Sequence, residues 1–74
     1  MSERLPVVSG KEFVRMLEGL GWVVRRQTGS HIMISQDKGQ RTISVPNHRM
    51  LDKGILHSLI KKAGLTTKEF RTLL

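Results

Sequence analysis

Apolar residues change period twice along this chain. Phe13, Met16, Leu17 and Leu20 recur at the i, i+3, i+4, i+7 spacing that lines one face of an α-helix. Ser9-Gly10-Lys11-Glu12 precedes them in capping-box form, in which Ser9 and Glu12 each satisfy a backbone donor left open at a helix start. Gly21 follows as a residue suited to the left-handed turn that ends a helix. The spacing predicts a first helix from Gly10 to Leu20.

The helical period then gives way to β-prone sequence. Trp22-Val23-Val24-Arg25-Arg26-Gln27 is followed by turn chemistry at Thr28-Gly29, and Ser30 to Ser35 resumes with Ile32, Met33 and Ile34, which predicts a hairpin. Asp37-Lys38-Gly39 predicts a second turn, after which Arg41-Thr42-Ile43-Ser44-Val45 alternates. Pro46 has no backbone N–H and ends the ladder there. With Ile32, Ile34, Ile43 and Val45 facing inward, the period of two turns His31, Met33 and Ser35 to the opposite face.

Helical spacing returns after Asp52, a candidate cap for a helix whose buried stripe is Ile55, Leu56, Leu59, Ile60 and Ala63, with Gly64 as its terminator. His57 falls on the polar side of that helix. Thr66-Thr67-Lys68-Glu69 repeats the capping-box form before Phe70, Leu73 and Leu74, predicting a short terminal helix. The order α-β-β-β-α followed by a short α describes an α+β two-layer sandwich. Its three-stranded antiparallel sheet carries helices on one face and leaves the other open to a polymeric ligand. The double-stranded-RNA-binding domain (dsRBD) shares this topology.

Composition narrows the range of functions. Seventy-four residues leave room for one core, so residues 1–74 are expected to form a single domain. The absence of cysteine removes disulfides and thiolate metal sites. No stretch approaches the roughly 20 apolar residues of a membrane span, and Met1-Ser2-Glu3-Arg4-Leu5-Pro6 lacks the apolar run of a signal peptide, so the expected address is the cytoplasm. Thirteen Lys and Arg against six Asp and Glu give a formal charge of +7, which suits a polyanion. Nucleic acid is the first candidate, beside simple solubility and an acidic protein partner.

No Walker-type loop, Gly-x-Ser-x-Gly, His-Glu-x-x-His or acidic cluster for Mg²⁺ is present. A nuclease built on this sequence therefore has to work without a metal. Such RNA cleavage uses the neighbouring 2′-hydroxyl as nucleophile and needs a proton acceptor, a proton donor and positive charge near the phosphate. His31 follows a Thr-Gly-Ser turn on the expected open face, near Arg25 and Arg41, and imidazole is the side chain that changes charge near neutral pH. Spacing alone favours the plainer reading, a polar residue on the surface of a strand. His48, in the Pro46-Asn47-His48-Arg49 connection, is placed to contact phosphate or to bond a loop carbonyl, and a His31/His48 pair makes a poor zinc site without a thiolate or carboxylate. Arg25, Arg26, Lys38, Arg41, Arg49 and Lys53 fall on expected strands and loops where they can follow a phosphate backbone. Trp22, Phe13 and Phe70 suit the core, leaving no aromatic platform for splayed bases.

Gly21-Trp22, Arg26-Gln27-x-Gly29-Ser30-His31, Val45-Pro46-x-His48 and Gly54-x-Leu56-x-x-Leu59-Ile60-Lys61-x-Ala63-Gly64-Leu65, in that order, resemble the HicA toxin family over nearly the whole chain. The resemblance implies a dsRBD-like fold and a toxin that cleaves mRNA independently of the ribosome, with the Gly-Ser-His histidine, here His31, as catalytic residue. It also implies a HicB-type antitoxin that covers the active face. The family often places an aromatic three positions after this histidine, where this chain has Ile34.

The resulting expectation is a ribonuclease toxin of a type II toxin–antitoxin pair, acting without cofactor or metal. His31 carries the chemistry, Ser30 and Arg41 hold its environment, and Ser30, Arg25, Arg26, Arg41, His48 and Lys53 contact RNA. Two alternatives stand beside it: a non-catalytic double-stranded-RNA-binding module and an adaptor for an acidic protein.

Overall fold

A computed structural model describes residues 6–36, 38 and 41–74. The expected second turn lies outside the described residues at Asp37 and Gly39, as does the N-terminal stretch Met1 to Leu5. The elements run α1 (Gly10–Glu18), β1 (Trp22–Gln27), β2 (His31–Gln36), β3 (Thr42–Pro46), α2 (Lys53–Lys62) and α3 (Thr67–Thr72), the order the apolar periods predict.

Each helix begins where its cap chemistry lies. In α1 the Glu12 N–H donates to Ser9 Oγ at 3.0 Å and the Ser9 N–H to Glu12 Oε1 at 2.8 Å. Thr66 and Glu69 repeat the arrangement at α3, with the Glu69 N–H on Thr66 Oγ1 at 3.0 Å and the Thr66 N–H on Glu69 Oε1 at 2.8 Å. Asp52 Oδ1 accepts from the Ile55 N–H at 2.8 Å and starts α2. Gly21 at φ 99° and Gly64 at φ 78° adopt the left-handed conformation after α1 and α2. In one respect the helical spacing misleads. α1 gives way at Gly19, so Leu20 falls in the following turn and is 47% exposed. Val14 instead joins Phe13 and Leu17 on the buried stripe.

The strands form one antiparallel sheet in the order β1-β2-β3. Ile32 pairs with Val45 and Ile34 with Ile43, and all four are buried, so the inward face is the one the alternation selects. Phe13, Leu17, Leu56, Leu59, Ile60 and Phe70 cover this face from the helices. Phe13 and Phe70 stack with ring centroids 5.7 Å apart, which ties α3 to α1 through the core. Trp22 is buried as well, as its place at the start of β1 suggests. Ile34 is fully buried, which explains why an aliphatic side chain serves at that position: it faces the core and not the open face.

Two irregularities shape the open face. The β1–β2 register shifts between Val24 and Arg26, with Val24 opposite Ile34 and Arg26 opposite Met33, so Arg25 is an extra residue in a bulge. The second is a close approach of backbones. The Gly10 N–H donates to the His48 carbonyl at 2.9 Å, the Leu51 N–H donates to the Val8 carbonyl at 2.8 Å, and a Cβ on Gly10 would run into the Pro46 carbonyl oxygen. The start of α1 is thereby fastened to the connection between β3 and α2.

Two glycines should therefore respond differently to alanine. Gly10→Ala forces backbone apart and should cost about 1–3 kcal/mol. Gly29→Ala meets open space at an ordinary φ and should change stability by no more than about 0.5 kcal/mol. Urea unfolding of the two variants beside the parent checks the contrast.

Candidate functional site

The turn between β1 and β2 holds its own backbone. Thr28 Oγ1 accepts from the His31 N–H at 3.0 Å and from the Ser30 N–H at 3.3 Å, while the Thr28 N–H donates to the His31 carbonyl at 2.8 Å. One hydroxyl thus satisfies two turn amides, the local closure that Thr favours beside turns. His31 emerges from this turn as the first residue of β2, exposed, on the face opposite Ile32 and Ile34.

The His31 ring has a fixed neighbour. Ser30 Oγ lies 3.0 Å from His31 Nδ1. Whichever of the two supplies the proton, Nδ1 is occupied, and among the described residues Nε2 has no hydrogen-bond partner. A ring held at one nitrogen and open at the other can exchange a proton with a ligand. Asn47 fastens the turn from across the sheet. Its backbone N–H donates to the Ser30 carbonyl at 2.8 Å and its side-chain Nδ2 donates to the Gly29 carbonyl at 3.4 Å. His31 is opposite Pro46 in the ladder, so Asn47 continues the β2–β3 pairing one step past the strand end.

The basic residues that the sequence groups together separate in space. Arg26, opposite Met33, is a diagonal neighbour of His31 on the open face, a spacing of about 7–8 Å that a long side chain spans. Arg25 shares that face, but its Nε donates to Ser35 Oγ at 2.6 Å and its guanidinium to the Gln36 carbonyl at 3.3 Å, so the head group is held toward the other end of the strand. Ser35, expected on the open face, is covered there and only 4% exposed. Arg41 is not brought to His31. It precedes β3 beside Gln36, about 17 Å away at the usual rise per strand residue. Its Nη1 lies 3.5 Å from the Lys62 carbonyl, against Gly64 at the end of α2. A cation there complements the negative helix end, a structural role.

His48 stands two residues beyond Pro46, exposed, with its carbonyl taken by Gly10. Lys53, the first residue of α2, lines an apolar depression with Val7, Met50 and Leu56, and among the described residues no hydrogen bond links it to His31. Lys38 is exposed, and His57 is exposed on α2. Among the described residues no group of three or more His, Cys, Asp or Glu side chains is gathered closely enough to hold a metal ion, and no helix is long and apolar enough to cross a membrane.

Thr28 and Asn47 are the residues that sequence reasoning does not single out. Thr28, three positions before His31, carries a recognisable signal as a turn-forming hydroxyl. Asn47 carries none, because its partners are 18 and 17 positions away in the chain.

In comparison with known proteins, the family model described as HicA toxin of bacterial toxin-antitoxin matches residues 10–65. The match takes in α1, the whole sheet, the Thr28–His31 turn, Asn47 and α2, and stops before α3. No curated protein matches the chain.

Removing the Thr28 hydroxyl isolates its contribution. Thr28→Val leaves the Ser30 and His31 amides to water and should lower stability by about 0.5–1.5 kcal/mol. Amide hydrogen exchange at His31 should accelerate, while exchange at Ile34 and Ile43 follows only the change in global stability.

Proposed function

We propose that this chain, which belongs to the HicA toxin family of bacterial toxin–antitoxin systems, cuts RNA by proton transfer at His31. The observation that carries the reading is the Ser30 Oγ contact with His31 Nδ1 at 3.0 Å, which holds an exposed imidazole at one nitrogen and, among the described residues, leaves Nε2 without a partner.

In the reaction a ribose 2′-oxygen forms a bond to the adjacent phosphorus and the bond from phosphorus to the 5′-oxygen breaks. His31 Nε2 takes the 2′-proton or protonates the departing 5′-oxygen, and water serves the other proton. The products are a 2′,3′-cyclic phosphate and a 5′-hydroxyl. Arg26, one of the expected RNA contacts, supplies positive charge to the phosphate from one strand away. Ser30 positions the ring and does not itself touch the reacting atoms. No step calls on a metal, in keeping with six scattered acidic residues in the sequence. The substrate is mRNA. The natural partner is a HicB-type antitoxin, which silences the toxin by occupying the face that RNA needs. An acidic surface on that antitoxin suits the +7 charge as RNA does.

Loss of the imidazole should be the decisive change. His31→Ala should reduce RNA cleavage by about 10²- to 10⁴-fold, the usual share of acid–base catalysis. The parent should produce cyclic phosphate ends, and a chelator should leave its rate unchanged. A folded His31→Ala protein that cuts as fast as the parent contradicts the reading. If the parent binds RNA without cutting it, the double-stranded-RNA-binding module takes its place.

A further inference from the structure

A shallow depression beside the proposed cleavage site is lined by Ser9, Lys11, Asn47, His48 and Arg49. It forms where the start of α1 meets the β3–α2 connection, the contact that the Gly10 N–H and the His48 carbonyl close at 2.9 Å. Lys11, His48 and Arg49 are exposed, and among the described residues no hydrogen bond or ion pair occupies their side chains. Glu12 and Asp52 serve as helix caps: Glu12 accepts from the Ser9 N–H at 2.8 Å and Asp52 from the Ile55 N–H at 2.8 Å. Three of the four donors at the start of α1 are likewise taken, Ser9 by Glu12, Gly10 by His48 and Glu12 by Ser9. The Lys11 N–H has no acceptor among the described residues.

We propose that this depression is a phosphate subsite, in which Lys11 and Arg49, with His48 as a third donor, hold a backbone phosphate of the RNA strand that is cut at His31. The proposal rests on the RNA-cleaving reading above and adds the place where the strand is gripped. Asn47 joins the two locations, since it lines the depression and its two nitrogens hold the Gly29 and Ser30 carbonyls of the His31 turn. His31 is opposite Pro46, at about 5 Å between Cα atoms, and His48 is two residues further, at most about 7 Å. The subsite therefore takes a phosphate of the same strand close to the scissile one. Its donors are the side chains of Lys11, Arg49 and His48 with the Lys11 backbone N–H, so it grips the backbone without reading bases.

The test uses RNA that cannot be cleaved, so that binding is read separately from chemistry. A 2′-O-methylated single-stranded oligoribonucleotide is titrated against the parent, the Lys11→Gln/Arg49→Gln double variant and a Lys61→Gln/Lys62→Gln double variant of equal charge at the far end of α2. Circular dichroism establishes that each is folded. Two lost phosphate contacts should flatten the slope of log K against log salt by about 1.4 for the first double variant. The second should keep the parental slope. Equal flattening in both, or none in the first, overturns the subsite, as does an absence of RNA binding by the parent. Cleavage of unmodified RNA by the parent reports independently on the histidine reading, which survives if only the subsite fails.

Discussion

The arrangement depends on one constraint, the burial of Ile32, Ile34, Ile43 and Val45 against the helices. Burying an aliphatic side chain of this size is worth about 1.5–3 kcal/mol, and a slip of one residue in either strand would turn two of the four outward. The register of β2 against β3 is fixed in this way, and with it the opposite face. His31 points outward because Ile32 has to point inward. The core also accounts for Ile34, three positions after His31 and so on the opposite, buried face of the strand.

What the core does not determine is the conformation of the turn that delivers His31. A turn of small polar residues on the surface is ordinarily mobile. Here it is closed from within by Thr28 and from across the sheet by Asn47, whose own segment is fastened to α1 through the Gly10 contact with His48. A series of hydrogen bonds thus runs from the first turn of α1 to the ring of His31. Such preorganisation matters for acid–base chemistry, because a proton acceptor serves only when its nitrogen is held within reach of the proton it takes.

The sequence carried the element order, all three helix caps, the two left-handed glycines and the inward residues of the sheet, because each rests on local chemistry or a short period. The site was legible only in part. His31 and Ser30 were visible as neighbours in a turn, and their side-chain contact follows from that. Arg41 was assigned to the wrong end of the sheet, since alternation says which face a strand residue occupies but nothing of where a long side chain before the strand will reach. The bulge at Arg25 is likewise silent in sequence, yet it doubles basic residues on one face and buries Ser35. Leu20 failed for a local reason: the apolar spacing continues one step after the helix has ended at Gly19. Asn47 needed the fold, because its role exists only once β3 has brought it beside the turn.

The central claim is that RNA lies on the open face of the sheet with a free nitrogen of His31 facing it. The most direct measurement is a nuclear magnetic resonance titration of protein carrying nitrogen-15 histidine with the uncleavable oligoribonucleotide. The account predicts that the Nε2 resonance of His31 shifts on binding while the ring of His57, exposed on α2, stays unmoved. Shifts at His57 with none at His31 would place the RNA on the helices and contradict it.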